Sequence, residues 1–174
     1  RDYPLLAGGR AGEVVLDETP AEPLGLGYDA LCGLIDLAVV AQCAEALGAM
    51  ETAVALTQDY LMTRKQFGRP IGTFQALAHR MADLLIELEQ ARSAVINAAG
   101  MVGTDQQAAT LAASKVLMGR VGQLVAEEAI QMHGGIAMTQ EYELAHIAKR
   151  IVMADHRFGD ADYHLERFIA LSAA

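Results

Sequence analysis

The chain turns a corner at Thr63-Arg64-Lys65-Gln66-Phe67-Gly68-Arg69-Pro70-Ile71-Gly72-Thr73-Phe74-Gln75. For about thirty residues before this stretch, and for almost as many after it, apolar residues recur at the helical spacings of three and four. Within the stretch, two glycines and a proline interrupt that period in quick succession. The sequence therefore predicts two long helices that meet in a tight corner.

Four side chains of this corner could hold a ligand. Arg64, Gln66 and Phe67 lie at the predicted end of the first helix, and Gln75 lies in the first turn of the second. An arginine at a helix end can bond the last helical carbonyls, and its planar guanidinium can also bind a phosphate through two hydrogen bonds. Taken alone, the corner is explained as well by helix capping as by ligand binding.

The composition is typical of packed helices in a single domain. Of 174 residues, 53% are hydrophobic and only 5% are aromatic, and tryptophan is absent. The net charge of −9 argues against nucleic acid or an anionic membrane as the main partner, because both attract basic surfaces. An anionic small molecule remains compatible with this charge, since a few arginines can bind it locally.

The cysteines and the chain start give further expectations. Cys32 and Cys43 fall on one predicted helix, where their separation of roughly 16 Å is too long for a disulfide. Two free thiols fit a reducing compartment, and we expect a cytoplasmic protein. No uncharged apolar run approaches the length of a membrane span. Because the chain begins at Arg1 instead of Met, we expect it to be a piece of a longer protein.

The predicted fold class is all-α: an antiparallel up-down four-helix bundle with a short N-terminal remnant of a β-domain. Residues 1–27 are rich in glycine and proline around a strand candidate at 13–17, and we interpret them as the end of a β-domain and a linker. Residues 28–174 form the predicted bundle domain, with helices at 28–66, 73–102, 104 or 105 to 132, 140–156 and 162–173. Thr73 is the expected N-cap of the second helix, and Thr104 or Asp105 that of the third. The predicted buried positions of the first helix are Leu31, Leu34, Ile35, Ala38, Ala41, Ala46, Met50, Ala53, Val54 and Tyr60.

A second stretch, residues 131–142, could also contact a ligand. Gly134 and Gly135 follow the third predicted helix directly, and paired glycines allow a backbone to approach a ligand closely as well as to end a helix. Gln131 offers both a donor and an acceptor. The five histidines are scattered without metal-ligand spacing, and no nucleophile elbow, Walker loop or dinucleotide fingerprint is present.

Together, the two stretches resemble the acyl-CoA dehydrogenase family. The corner reads R-x-Q-F-G-x-P-I-x-x-F-Q, which is similar to that family's signature between the first two helices of its C-terminal helical domain. Residues 131–142 are similar to its second motif, Q-x-x-G-G-x-G-[FY]-x-x-E-Y. The resemblance extends from about Val14 to the end of the chain. It implies the C-terminal bundle of an FAD-dependent enzyme that oxidises the α,β bond of an acyl-CoA thioester.

The resemblance also implies which residues contact the cofactor. In the family, the two motifs contact the adenine and pyrophosphate portion of an FAD that is held mainly by a neighbouring subunit. The cofactor-binding residues that carry over are Arg64, Gln66, Phe67, Gln75, Gln131, Gly134 and Gly135. The implied partners are acyl-CoA, further subunits in a homo- or hetero-oligomer (dimer or tetramer), and an electron-acceptor protein. Without the rest of the enzyme, we expect this chain to be inactive.

The family's catalytic base has no clear counterpart. Counted forward from Gln131, the glutamate position falls on Phe158, whereas counted backward from Arg167 it falls on Asp160. An alternative base position on the first long helix is Ala38, and the substrate-binding arginine beside it is replaced by Val39. The resemblance also matches Asp36 to an aspartate of that helix that touches acyl-CoA in the family, but not to a base. The catalytic residues are therefore predicted to be absent from this chain.

Two hypotheses remain open at this point. In one, the chain belongs to a fully active subunit with Asp160 as the base. In the other, it belongs to a non-catalytic partner that completes the flavin site of a catalytic subunit, as in heterotetrameric bacterial members that degrade steroid side chains. Met50, Met118, Met132 and Met138 suggest apolar faces beyond one core, so self-association is expected in either case.

Overall fold

The computed structural model describes residues 1–173 and is mostly helical. Ala174, the last residue of the predicted bundle domain, lies outside the described residues. The helices are α1 (Tyr28–Thr63), α2 (Gln75–Gly100), α3 (Gln107–His133), α4 (Glu143–Asp155) and α5 (Ala161–Ser172). Two small antiparallel hairpins join β1 (Asp2–Pro4) to β2 (Arg10–Gly12) and β3 (Lys65–Gln66) to β4 (Arg69–Pro70). The predicted all-α bundle is confirmed.

Helix α3 lies at the centre of the bundle, where it packs against α1, α2, α4 and α5. Small residues allow this: a side chain at Gly122 would press on Ile151 of α4 and Met50 of α1, and a side chain at Gly119 would overlap Asp155 and Ala161. The core is aliphatic and rich in alanine, as the composition indicates.

The ends of α1 and α2 differ from the prediction. Helix α1 stops at Thr63, because Arg64 is already extended (φ −69°, ψ 121°) and the next two residues pair with β4. Thr73 does not cap α2. It lies in a 3₁₀ turn, Ile71–Thr73, and donates its hydroxyl to the carbonyl of Pro70 at 2.7 Å.

The other helices begin one to three residues from the predicted starts. Neither Thr104 nor Asp105 caps α3: Thr104 bonds back to the carbonyl of Met101, and the side chain of Gln107 accepts the Gly103 N–H at 2.7 Å. These side chains complete the preceding turn, so the helix starts only after it.

The strand predicted at 13–17 is wrong. These residues form no regular structure, and Val14, Val15 and Leu16 are largely exposed. A strand needs a hydrogen-bonded neighbour. The pairing instead occurs between β1 and β2, whose connection uses Gly8 and Gly9 at positive φ.

The predicted buried face of α1 is wrong in its first third. Leu31, Leu34 and Ile35 are exposed, and the first buried residue of the helix is Val39. Ala41, just beyond this part, was also predicted to be buried and is exposed. Because apolar side chains lie on most sides of this part of α1, with Asp29 and Asp36 as exceptions, the three-four spacing does not identify the face that is buried.

By length and composition, α1 could cross a membrane, with a mean hydropathy of 1.7 in its most apolar segment, of which 28% is buried. Core helices of soluble proteins can have the same length and composition. Asp36 of α1 is paired with Arg167 of α5.

Both cysteines are free, as predicted. Cys43 is buried in the core, and its burial raises the pKa of the thiol to about 11. Cys32 is only partly buried, since it lies in the uncovered part of α1.

Candidate functional site

The corner between α1 and α2 is a tight hairpin that displays an aromatic ring. Phe67 (φ 54°) and Gly68 (φ 78°) form its two-residue tip, and both have left-handed backbone conformations. A hairpin turn of this kind matches the twist of its strands, although a phenylalanine rarely adopts a positive φ. The Phe67 side chain is 91% exposed. A strained and exposed aromatic residue is unusual in a purely structural turn and typical of a binding site.

Backbone contacts hold the corner against the end of α1. The N–H of Ile71 donates to the carbonyl of Arg64 at 2.8 Å. Gly72 packs on Leu61, and a Cβ at that position would lie 3.0 Å from the Leu61 carbonyl oxygen. A glycine is therefore required for the chain to fold back this closely.

The two arginines of the corner have different surroundings. The Arg69 guanidinium lies 4.1 Å above the ring of Phe74, which also meets Phe67 edge-to-face at 6.0 Å. Arg64 is exposed, and within residues 1–173 its side chain makes no hydrogen bond or ion pair. Of the two guanidiniums, that of Arg64 is thus the one available to an anionic ligand. Helix capping, the alternative explanation from the sequence, is not what its side chain does.

The remaining predicted contacts of the corner are also accessible. Gln75 is the first residue of α2 and is exposed. The exposed Gln66 donates its side-chain amide to the neighbouring Lys65 carbonyl at 2.8 Å, a weakly constraining local bond.

The second stretch forms the C-terminal end of α3. Gly134 ends the helix at φ 72° and ψ −149°, and it opens a 3₁₀ turn, Gly134–Met138. Nothing lies within 4 Å of the position that a Cβ would occupy at Gly134 or Gly135, and Gln131 is exposed one turn earlier. The backbone of this turn is thus open to a ligand.

A buried histidine brings the two stretches to the same end of the bundle. The ring of His133 stacks on that of Tyr60, with centroids 4.4 Å apart and planes 23° apart. Tyr60 lies one turn before the corner, and its carbonyl accepts the N–H of Arg64 at 2.8 Å. His133 directly precedes Gly134. The sequence predicts Tyr60 as a core residue and shows no ligand spacing at His133. The one sequence signal of this pairing is that each residue lies in or beside one of the two motif stretches.

Hydrogen bonds determine which ring nitrogen of neutral His133 carries the proton. Its Nδ1–H donates to the carbonyl of Ala129 at 2.8 Å, which leaves Nε2 to accept from the Tyr142 hydroxyl at 3.1 Å. Burial lowers the pKa of His133, so the neutral ring is favoured. Burial also raises the pKa of Tyr142, which keeps its hydroxyl protonated.

Both sequence candidates for the base position lie at the turn between α4 and α5. Asp160 is the N-cap of α5, and its carboxylate accepts the N–H of Tyr163 at 2.9 Å. Phe158 precedes it with a positive φ of 58°, and its carbonyl accepts a hydrogen bond of 2.9 Å from Nε2 of the buried His164. The structure therefore assigns Asp160 a capping bond and Phe158 an apolar, half-exposed ring.

The residues of α1 that match the family's base and substrate positions also have structural roles. The carboxylate of Asp36 accepts from Arg167 at 3.1 Å and from Gln107 at 3.0 Å, which ties α1 to α5 and α3. Ala38 is partly buried and Val39 is buried in the core. In the part of the chain that the structure describes, no group of three or more His, Cys, Asp or Glu side chains could hold a metal ion.

Known proteins share both the sequence and the fold. The model of the family described as "Acyl-CoA dehydrogenase, C-terminal domain" matches residues 26–170. The acyl-CoA dehydrogenase IpdE2 of Mycobacterium tuberculosis is 44% identical over 119 residues, which are 68% of this chain and 36% of IpdE2.

Two solved structures are also similar. A variant of the Tcur3481-Tcur3483 steroid ACAD superimposes with a TM-score of 0.92 and 31% identity, over 99% of this chain and 48% of the other. PigA with FAD and proline gives a TM-score of 0.74 and 28% identity, over 80% of this chain and 37% of the other. The chain thus spans less than half the length of each of these three proteins. Because the family's C-terminal domain matches most of the sequence and the fold is the same, this chain belongs to the acyl-CoA dehydrogenase family as a C-terminal domain.

Proposed function

We propose that this chain is the C-terminal part of an FAD-dependent acyl-CoA dehydrogenase, and that its corner and its Gly134–Gly135 turn complete a flavin site at a subunit interface. The observation that carries the proposal is the pairing of Tyr60 with His133, which brings both motif stretches to one end of the bundle. The two stretches there present a guanidinium, an exposed ring and bare backbone, the groups that a dinucleotide requires.

Each candidate residue has a distinct part in this site. Arg64 would bind the pyrophosphate, because its guanidinium is exposed and has no partner among residues 1–173. Phe67 would pack on the adenine, and the open backbone at Gly134 and Gly135 would allow close approach. The exposed amides would supply hydrogen bonds, from Gln66, Gln75 and Gln131. The redox chemistry would come from bound FAD, which accepts a hydride at its N5 atom.

The favoured form of the proposal makes the chain part of a non-catalytic partner subunit. Its support is the capping bond of Asp160 and the apolar ring of Phe158 at the two candidate base positions. With Asp36 paired to Arg167, and with Ala38 and Val39 apolar, these three positions of α1 offer no free proton acceptor either. A similar protein, the Tcur3481-Tcur3483 steroid ACAD, combines two named components, which is compatible with a division of labour between subunits. The alternative, a catalytic subunit with Asp160 as the base, is tested below.

The proposed partners follow from the same site. The substrate is an acyl-CoA thioester, bound with the help of another subunit, and the electrons pass on to an acceptor protein. A motif that contacts a neighbour's flavin also requires an oligomer, either of identical chains or of two kinds.

Substitution of Arg64 by Ala in the full-length protein, assembled with its partner subunit, tests the flavin assignment. We expect FAD affinity to fall about tenfold or more, since a hydrogen-bonded ion pair to a phosphate is lost. The measurement is FAD content after gel filtration together with a fluorescence titration of the apo-complex. Arg120→Ala is the matched control, because Arg120 is an exposed arginine on α3 away from the corner. An Arg64→Ala complex that retains FAD as the Arg120→Ala complex does would overturn the proposal.

A further inference from the structure

We propose that Tyr60, His133 and Tyr142 form a clamp that positions the Gly134–Gly135 turn relative to the Arg64 corner. The clamp rests on the proposed function, because its purpose is to keep two sets of flavin contacts from separate helices in register. Its members are positioning residues and are not proposed to touch the cofactor.

The three side chains connect the elements that carry the flavin contacts. Tyr60 belongs to the last turn of α1, and its own carbonyl receives the N–H of Arg64. His133 is the last residue of α3, two positions after Gln131. Tyr142 immediately precedes α4 and lies with its ring centroid 5.4 Å from that of His133. A displacement of any one element would break either the stack or the hydrogen bond.

The hydrogen bonds of the clamp determine the tautomer of the neutral ring. Because Nδ1 donates to the Ala129 carbonyl, Nε2 of a neutral ring is the acceptor, and the Tyr142 hydroxyl is the donor. A protonated ring would donate from Nε2 instead, and the hydroxyl oxygen would accept that bond. The hydrogen bond between His133 and Tyr142 is thus compatible with both protonation states, and burial favours the neutral one.

The groups that face His133 are uncharged. They are the Tyr60 ring and the backbone of Leu56 from α1, the Ala129 carbonyl from α3, and the Tyr142 hydroxyl. Tyr142 itself has carboxylates nearby: after burial, Glu143 and Asp59 contribute to raising the pKa of its hydroxyl. Burial has the larger effect and lowers the pKa of His133, although the backbone of Ala129 and Leu56 favours the charged ring. Acidification is therefore expected to weaken the clamp, because it places a charge in a buried site.

The experiment compares Tyr142→Phe with Tyr60→Phe in the full-length protein assembled with its partner. Tyr142→Phe removes only the hydroxyl whose hydrogen bond His133 accepts. Tyr60→Phe keeps the stacked ring and serves as the matched control. FAD affinity is measured at about pH 8 and about pH 5.5, on either side of the ordinary histidine pKa. We expect Tyr142→Phe to weaken FAD binding about fivefold at the higher pH, as for one lost hydrogen bond, and we expect both proteins to lose affinity on acidification, because His133 is buried in each. Tyr60→Phe is expected to follow the wild type.

The outcomes separate the clamp from the function on which it rests. If Tyr142→Phe binds FAD like the wild type at both pH values while Arg64→Ala does not, the clamp is wrong and the flavin assignment stands. A Tyr142→Phe complex that melts earlier but binds FAD unchanged would show a structural role only, which also overturns the clamp. If Arg64→Ala has no effect either, the flavin site itself is wrong and the clamp falls with it.

Discussion

At the scale of single residues, Lys115 is a charged side chain buried within the bundle. It is 2% exposed, and its ammonium donates to the carbonyls of Ala154 and Asp155 at 3.2 and 2.7 Å. The Asp155 carboxylate lies 3.6 Å away. Lys115 of α3 thus caps the C-terminal end of α4, where the helix dipole favours a positive charge. Burial lowers its pKa, with the opposing effect of Asp155 too weak to cancel this.

Replacement of Lys115 by Met should destabilise the bundle by about 1–3 kcal/mol, because two buried carbonyls lose their donor. The free energy of unfolding from urea titration at neutral pH measures this effect, with Lys149→Met as the control. A pH series adds a second criterion. Since the folded pKa is lowered, the unfolded chain binds more protons just below the ordinary lysine pKa of 10.5, and wild-type stability should rise with pH there. Lys115→Met should lack this rise, and a variant as stable as the wild type would contradict the capping role.

The sequence indicated which side chains are exposed at the corner, but not which buried residues support the two stretches. Arg64 and Phe67 were recognisable because glycine and proline mark the corner and leave its side chains outside the helices. Lys115 and His133 were not, since a buried polar residue is satisfied by groups far away in the sequence. The Lys115 partners are about forty residues distant, and no local pattern reports them.

At the scale of elements, the order and type of all five helices were predictable from periodicity, whereas their ends were not. Helix ends depend on which side chain captures the free backbone groups. Thr104 bonds backward and so ends a turn, and Asp160 bonds forward and so begins α5. Both residue types favour either role, and the tertiary fold selects one of them.

The capping role of Asp160 leads to different expectations for the stability of two variants. Asp160→Ala should cost about 1 kcal/mol of stability through loss of the N-cap, while Asp160→Asn should cost little because asparagine caps equally well. In the full-length complex, Asp160→Asn should also leave turnover unchanged, measured with an artificial electron acceptor. If Asp160→Asn abolishes turnover while FAD is retained, Asp160 is the base and the non-catalytic subunit is excluded.

At the scale of the whole molecule, the sequence predicted an excess of apolar surface but misplaced it. Met50, Met118 and Met132 are core residues, and only Met138 of the four methionines is exposed. The uncovered surface lies instead on the first third of α1 and on the outer face of α2. Periodicity could not separate these faces from the core, because apolar residues recur at spacings of three and four on the exposed face of each helix as well as on its buried face.

The exposed face of α2 leads to a prediction for the chain as it stands. Ile86 is 60% exposed and lines a shallow groove with Leu85 and with Leu117 of α3, and Ile96 further along α2 is 66% exposed. Exposed apolar side chains of this kind are typical of a subunit interface. We expect sedimentation velocity at about 50 µM, where an interface of standard size is populated, to show a dimer or larger species. Ile86→Glu should shift the chain to monomer, because a charge would be buried without a partner, while Gln106→Glu adds the same charge outside this face and should change nothing. A wild-type chain that sediments as a monomer at this concentration would exclude α2 as a self-association surface and leave its apolar face to a different subunit.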